Sequence, residues 1–234
     1  VRNRQDDGTL SDSYAYTMKG INWSPASRGT WPDSDPVGFS QEHFNWYETD
    51  IPLMAGMGIN TVRLYHDLGT GLEAMDVMDE FYKYGIKVIM PVDSPLHEVV
   101  ADIANVATVV DYYKDHPAIL MWAIGNEWDL NYYYETFTSL EDAAAFTETA
   151  AQLIKTLDTN HPVSTVYGEP HIPKSAYYRH HYIDQDAAPF APADSSYFTS
   201  IVVNDWAPSV DVWGLNVYRN SSFTDVFSQW AGIS

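Results

Sequence analysis

Short apolar or β-branched runs alternate along the chain with longer segments whose apolar residues recur at helical spacing. This alternation is typical of repeated strand–helix units that form a parallel sheet. The pattern indicates about six such units. The predicted strands cover residues 16–22, 60–65, 86–92, 118–125, 162–167 and 210–218. The predicted helices that follow them cover residues 41–57, 72–84, 98–114, 140–157, 197–205 and 223–230.

Local signals mark where several of these elements end. Gly58 and Gly85 follow the first two predicted helices, as expected for glycine at a helix C-terminus. Pro117 ends the third predicted helix because proline cannot continue it. The apolar run at 119–124 then predicts a strand that is buried on both faces, as in a parallel sheet.

Two folds accommodate such repeats: an open doubly wound sheet and an eight-fold barrel. No glycine-rich phosphate-binding turn follows the first strand, which removes the main reason to expect a nucleotide-binding sheet. A complete barrel takes about 250 residues, so the repeats stop about two units short of one. The sequence therefore predicts an α/β protein with a single domain over residues 1–234, an incomplete (β/α)8 TIM barrel that lacks its last two units.

The chain is strongly acidic, with 12 Lys and Arg, 32 Asp and Glu, and a formal net charge of -20. Since this charge repels nucleic acid and anionic membranes, we expect neither as a partner. There is no cysteine, no apolar leader at the N-terminus and no apolar window long enough to span a bilayer. The acidity suits a secreted or extracellular protein, although a cytoplasmic location stays open.

Polar and aromatic residues gather at the carboxyl ends of the predicted strands, which line the mouth of a parallel barrel. They are Asn22, Trp23, Arg63, His66, Asp93, Asn126, Glu127, Trp128, Tyr167, Asn216 and Tyr218. A barrel built for stability alone has little use for such a set. The flat, amphipathic rings among them are the kind that sugar-binding clefts use. The mouth of the barrel is therefore the candidate site.

Glu127 is the strongest candidate for chemistry, because it follows the apolar run at 119–124 after only two residues. A carboxyl in that position lies against low-dielectric walls, which favour the protonated form that a general acid requires. Asn126 beside it is suited to hydrogen-bond a sugar hydroxyl. The alternative interpretation of Glu127 is a loop carboxylate paired with a neighbouring cation.

Four motifs resemble the clan of retaining glycoside hydrolases whose acid/base follows strand four and whose nucleophile follows strand seven. Residues 116–127 (HPAILMWAIGNE) are similar to the fourth-strand motif of its β-galactosidase and β-glucuronidase branch. Residues 58–66 (GINTVRLYH), 214–218 (GLNVY) and 19–22 (KGIN) resemble its second, sixth and first strands. Residues 50–54 and 58–61 are also similar to those of fungal β-1,3-glucanosyltransferases, which share the barrel and the mechanism.

The resemblance implies a carbohydrate substrate whose β-glycosidic bond is cleaved by double displacement, without a cofactor or a metal. Glu127 would be the acid/base, and Asn126 would bind the hydroxyl next to the reacting carbon. Arg63 and Tyr218 would hold the nucleophile. Substrate contacts would come from the other strand-end residues: Asn22, Trp23, His66, Asp93, Trp128, Tyr167 and Asn216. The histidines 161, 171, 180 and 181 match no zinc spacing, so we expect no metal site.

This sequence departs from the family pattern at the position expected for the nucleophile. The clan places it after a seventh strand, and the sequence ends at Ser234 before such a strand. We therefore expect the nucleophile outside this chain, with a missing C-terminal segment or a second chain completing the barrel. Glu169, after strand five, is the stand-in if a loop brings it close to Glu127. A β-glucan transglycosylase and a non-catalytic carbohydrate-binding barrel fragment stay open as alternatives.

Overall fold

The computed structural model describes residues 14–26, 38–93, 101–128, 136–168 and 207–217. Strands and helices alternate through these residues. The strands are β1 (Gly20–Asn22), β2 (Thr61–Arg63), β3 (Lys87–Pro91), β4 (Ile119–Ile124), β5 (Val163–Tyr167) and β6 (Val212–Leu215). The helices are α1 (Gly38–Gly56), α2 (Leu72–Lys83), α3 (Ile103–Tyr113) and α4 (Leu140–Leu157). The predicted helices at 197–205 and 223–230 lie outside the described residues.

The six strands form one sheet in the order β1-β2-β3-β4-β5-β6, and each strand runs parallel to the next. A doubly wound sheet reverses its strand order at a switch point, whereas this order never reverses. The sheet is therefore a six-stranded half-barrel, which confirms the predicted incomplete TIM barrel. Because the strands are parallel, all their carboxyl ends lie along one edge of the sheet.

Glycines and capping side chains set several helix boundaries. Gly58 and Gly85 have positive φ angles of 77° and 71°, as the sequence predicts for glycines after α1 and α2. Helix α3 begins at Ile103, later than predicted, because Asp102 is extended and its carboxylate accepts a hydrogen bond from Ala104 N at 2.8 Å. The pattern of apolar residues alone does not show at which residue such a cap starts the helix.

The core lies on both faces of the central strands. Every residue of β4 and of β5 is buried, as expected for strands covered by side chains on both sides. Helices α1, α2, α3 and α4 pack outside the sheet, with α1 against α2 and α3 against α4. Each large apolar side chain buried in this way contributes roughly 1.5–3 kcal/mol relative to exposure. The apolar middle of the sheet thus forms a rigid base for the loops at its edge.

None of the helices among the described residues is both long and apolar enough to cross a bilayer.

Candidate active site

The turn formed by Gly125, Asn126, Glu127 and Trp128 lies at the carboxyl end of β4, and we refer to it as the 125–128 turn. Gly125 has a φ of 69° and Glu127 a φ of 53°. The left-handed region suits glycine but is strained for a residue with a Cβ, at a cost of roughly 1–2 kcal/mol. Such strain persists where the surroundings over-determine the backbone, and it is concentrated at functional sites.

Neighbouring strands hold the backbone of this turn. The Gly125 amide donates to Asp93 Oδ1 at 2.8 Å, and Asp93 follows β3. The Glu127 amide donates to the carbonyl oxygen of Val166, on β5, at 2.8 Å. The turn is therefore fixed from the strands on both sides of β4, which explains how Glu127 keeps its strained backbone.

The side chain of Asn126 joins opposite parts of the half-barrel. Its Oδ1 accepts hydrogen bonds from Arg63 Nη2 at 2.9 Å and from Asn216 Nδ2 at 3.0 Å. Because a guanidinium can only donate, these contacts identify the oxygen of the amide and leave its nitrogen directed elsewhere. The structure thus brings together three of the predicted site residues, from β2, β4 and β6.

Trp128 anchors the far side of the turn on β5. Its indole N–H donates to Thr165 Oγ1 at 2.8 Å, and that hydroxyl donates to the Ile124 carbonyl at 2.6 Å. The indole also meets the ring of Tyr167 edge to face, with 5.7 Å between centroids. Trp128 and Tyr167 are both buried, so they support the turn from behind.

Three carboxyl groups are buried at this edge of the sheet: Glu127 at 5% exposure, Asp93 at 7% and Asp67 at 3%. Burial raises the pKa of Asp93 to about 6, against the lowering effect of the Gly125 amide and of the Arg63 charge. The charge of Asp67 contributes to the rise. Asp93 therefore changes its charge in mildly acidic solution, a property that no feature of the sequence predicts.

Arg63 and Asn22 contact a residue that the sequence did not single out. The Arg63 guanidinium lies 5.0 Å from the centre of the Tyr65 ring, and Asn22 Nδ2 donates to the Tyr65 hydroxyl at 3.0 Å. The side chains of Asn22 and Tyr65 are exposed. A polar and aromatic wall thus extends from β1 to β2. The sequence does contain a signal for Tyr65. Residues two apart on a strand point to the same face, and Tyr65 follows Arg63 by two.

The family model for the glycosyl hydrolases family 2, TIM barrel domain, matches residues 38–188. The chain belongs to this family. Comparison with curated protein sequences finds no match. The barrel of this family agrees with the parallel half-barrel described above.

Solved structures similar to this family 2 chain include a β-glucuronidase from Bacteroides uniformis, with 16% sequence identity and a TM-score of 0.54. The match covers 92% of this chain and 23% of that one. A glycosyl hydrolase family 2 member from Bacteroides cellulosilyticus DSM 14838 is 17% identical with a TM-score of 0.50, covering 100% of this chain and 29% of that one. At such identities the likeness shows the fold alone. The chain spans about a quarter of the length of these proteins.

Other predicted site residues of the family 2 barrel lie further from the turn or outside the described residues. Trp23 is buried, and its indole donates to Asp50 Oδ2 of α1 at 2.9 Å and packs edge to face on His43 and Phe81. Its ring therefore belongs to the core between β1 and the helices. His66 is half-buried in the loop after β2. Tyr218 and Glu169 are not among the described residues.

A metal centre was sought in the same part of the chain. The described residues contain no group of three or more His, Asp or Glu side chains placed to hold a metal ion. His161 lies before β5, at the opposite end of the sheet from the turn, and its Nδ1 is 2.7 Å from Asp158 Oδ2. The histidines at 171, 180 and 181 lie outside the described residues.

Proposed function

We propose that the protein is a retaining β-glycoside hydrolase with Glu127 as its acid/base. The observation that carries the proposal is the 125–128 turn. Asp93 and Val166 hold its strained backbone, and Arg63 and Asn216 hold the side chain of Asn126. A catalytic acid must be held within a fraction of an ångström of its productive position, and contacts of this kind provide that precision. The family 2 barrel supplies the reaction class, and the turn supplies the group that performs it.

Asn126 binds the sugar beside the reacting carbon in this proposal. Since Arg63 and Asn216 both donate to its Oδ1, the nitrogen is the atom of this amide that we assign to the substrate. A sugar hydroxyl oxygen accepts such a bond, and a bond of this kind next to the reacting carbon strengthens as the oxocarbenium-like transition state forms. Asn126 therefore contributes to rate as well as to affinity.

Glu127 acts twice in the double displacement. It first donates its proton to the glycosidic oxygen as the bond to the reacting carbon breaks and a carboxylate nucleophile attacks that carbon. As a carboxylate it then removes a proton from water, which displaces the nucleophile and restores the acid. The nucleophile lies outside the described residues, and Arg63 with Tyr218 would hold it roughly 5 to 5.5 Å from Glu127.

The remaining strand-end residues form the pocket in two layers. Asn22, exposed on β1, and half-buried His66 are placed to contact the sugar. Buried Trp128 and Tyr167 form the wall behind the turn, and Trp23 supports β1 from the core. This arrangement orients the sugar by exposed polar groups on a rigid apolar backing.

The leaving-group dependence of the Glu127→Ala variant tests the proposal. We expect first-turnover cleavage of β-glycosides with poor leaving groups to fall by about 10²- to 10⁴-fold, as for loss of a general acid. Cleavage of activated aryl β-glycosides, which need no protonation, should change much less. Azide, a nucleophile that needs no base, should restore turnover of the activated substrates.

Glu141→Gln is the control, since Glu141 is an exposed carboxylate in the first turn of α4. It should leave both substrate classes unaffected. Equal losses on both classes in Glu127→Ala would contradict an acid role. Absence of glycosidase activity from a protein whose barrel is completed by the segment that carries the nucleophile would favour the carbohydrate-binding alternative.

A further inference from the structure

Asp93 connects β3 to the 125–128 turn. It lies two residues after β3, and its Oδ1 accepts the Gly125 amide at 2.8 Å. Its own carbonyl accepts the Asp102 amide at 2.8 Å, which fixes the backbone on the other side. The carboxyl group is nearly inaccessible to solvent. Its position therefore suits it to hold the turn.

The groups facing Asp93 come from the neighbouring strands. Arg63 on β2 and Asp67 in the loop after β2 act on it electrostatically. Asp67 is held by the Gly69 amide at 2.7 Å and by Asn105 Nδ2 at 3.0 Å. Asn105 also donates to the Val92 carbonyl at 3.1 Å, next to Asp93 in the chain. Asp93 thus lies in a small network of fixed charges.

The strength of the bond to Gly125 depends on the charge of Asp93. An ionised carboxylate forms a hydrogen bond roughly twice as strong as a neutral acceptor does. Gly125 and Glu127 are in the left-handed region, where the turn relies on such outside contacts to stay in place. Loss of charge at Asp93 therefore weakens a contact that holds the strained part of the chain.

We propose that Asp93 is a positioning residue whose ionised carboxylate locks the 125–128 turn, and so Glu127, through the Gly125 amide. The catalytic consequence rests on the proposed function, whereas the lock itself does not. The raised pKa of Asp93, about 6, places the release of the lock in mildly acidic solution. Below that pH the neutral group holds Gly125 less firmly, and Glu127 is less well placed to protonate the leaving group.

Nuclear magnetic resonance of the full chain, labelled with ¹⁵N, tests the lock without any need for activity. We expect the Gly125 amide resonance to shift with a midpoint near the pKa of Asp93, about pH 6. In Asp93→Asn the side-chain oxygen still accepts from Gly125 but carries no titrating charge, so this step should disappear. In Asp67→Asn the step should move to lower pH, because the charge of Asp67 raises the pKa of Asp93.

Asp111→Asn, which changes an exposed carboxylate on α3, should leave the Gly125 step unchanged. A Gly125 resonance without a step between about pH 4 and 8, or one whose step survives in Asp93→Asn, would overturn the proposal.

The pH profile of kcat on a substrate with a poor leaving group then tests the catalytic consequence. In Asp93→Asn we expect kcat to fall about tenfold with KM within about twofold, since one tenfold step corresponds to the loss of about 1.4 kcal/mol of transition-state positioning. The change of kcat near pH 6 that we expect in the wild type should be absent from the pH profile of this variant. If Asp93 had only a structural role, Asp93→Asn would lower thermal stability and leave the pH profile of kcat unchanged. That result would overturn the positioning role. A Gly125 resonance that titrates, in a protein that includes the nucleophile and still has no glycosidase activity, would refute the proposed function while the lock stands.

Discussion

Two buried aspartates at opposite ends of the sheet show how the same group serves different purposes. Asp93 lies at the carboxyl edge beside the 125–128 turn, and Asp158 lies at the amino-terminal edge between α4 and β5. Burial acts on both in the same direction, because it disfavours the charged carboxylate. Their pKa values nevertheless move in opposite directions, to about 6 for Asp93 and about 2 for Asp158.

The number of donors explains the difference. For Asp158, burial alone would raise the pKa, but hydrogen bonds from His161, the Asn160 amide and Trp122 outweigh it. The Trp122 indole is at 2.9 Å and the Asn160 amide at 2.8 Å. Asp93 has the Gly125 amide and its own backbone amide, and its neighbour Asp67 carries a like charge. The amino-terminal edge thus holds a group that stays ionised above about pH 4, whereas the carboxyl edge holds one whose charge changes near pH 6.

Backbone strain follows the same division. Among the described residues, Glu127 is the non-glycine residue with positive φ, and it lies at the carboxyl edge. The apolar strands and the hydrogen-bonded Asp158 at the amino-terminal edge stabilise the fold. This stability offsets the backbone strain at the carboxyl edge. Separation of stabilising and catalytic ends is expected in a (β/α) barrel, where catalytic groups lie on the loops after the strands.

The largest expected effect is a difference in the free energy of unfolding between variants of the two aspartates. Asp158→Ala leaves the Trp122 indole and the His161 ring without their shared acceptor, so we expect a loss of about 2–3 kcal/mol in the free energy of unfolding. Asp93→Asn removes a buried charge yet keeps an acceptor for Gly125, so its stability at pH 7 should be equal to or above that of the wild type. Urea denaturation at pH 7 measures both.

Asp111→Ala, which breaks an exposed pair with Lys114, is the reference and should change stability by less than about 0.5 kcal/mol. Equal losses in the Asp93 and Asp158 variants would contradict the contrast between the two ends.

The pH dependence of stability sharpens the contrast with a slightly smaller effect. The pKa of Asp158 is about 2 in the folded state against 3.8 as the reference, so its contribution is present above about pH 4 and is lost as pH falls toward 2. That loss amounts to about 2 kcal/mol. The pKa of Asp93 is raised, so its contribution is present below about pH 4 and is lost as pH rises through 6.

Asp158→Asn should flatten the curve of unfolding free energy only in the first of these windows, and Asp93→Asn only in the second. Urea denaturation at intervals from pH 2 to 7 provides the curve. A change in the wrong window for either variant would show that the carboxylates are misassigned.

A smaller gain is expected at the strained residue itself. Glu127→Gly relieves the positive φ and removes a buried carboxyl, so the folded state should gain about 1 kcal/mol while glycosidase activity is lost. Leu157→Gly, at the end of α4 where no positive φ is required, should instead lose stability. Thermal denaturation of both variants measures the difference, and destabilisation by Glu127→Gly would mean that the turn is unstrained.

The sequence predicted the framework well where one strong local signal acts. The apolar run of β4, the glycines after α1 and α2, and the start of α2 at Leu72 all agree with the structure. The predicted strand ends were less accurate: β1 and β6 are shorter than 16–22 and 210–218, because only the residues that pair with a neighbouring strand belong to the sheet. Pairing is a property of two segments, which the pattern of one does not contain.

For the site, the sequence identified residues but not their contacts. It placed Arg63, Asn126 and Asn216 at one edge of the sheet, where the structure joins them. It gave no sign that Asp93 accepts the Gly125 amide or that Thr165 anchors Trp128, since both contacts depend on how adjacent strands are aligned. Trp23 was predicted in the substrate pocket, and the structure turns its indole toward Asp50 in the core. A side chain's direction at a strand end depends on the helices packed behind it.

The central claim is that the 125–128 turn presents Glu127 as the proton donor to a glycosidic oxygen. It is tested most directly by first-turnover rates of the wild type and Glu127→Ala across a series of aryl β-glycosides that differ only in the pKa of the leaving phenol. We expect a shallow dependence in the wild type and a steep one in the variant, with the two lines meeting at the most acidic phenols. Parallel lines would contradict the account, because the lost group would then have no part in protonating the leaving oxygen.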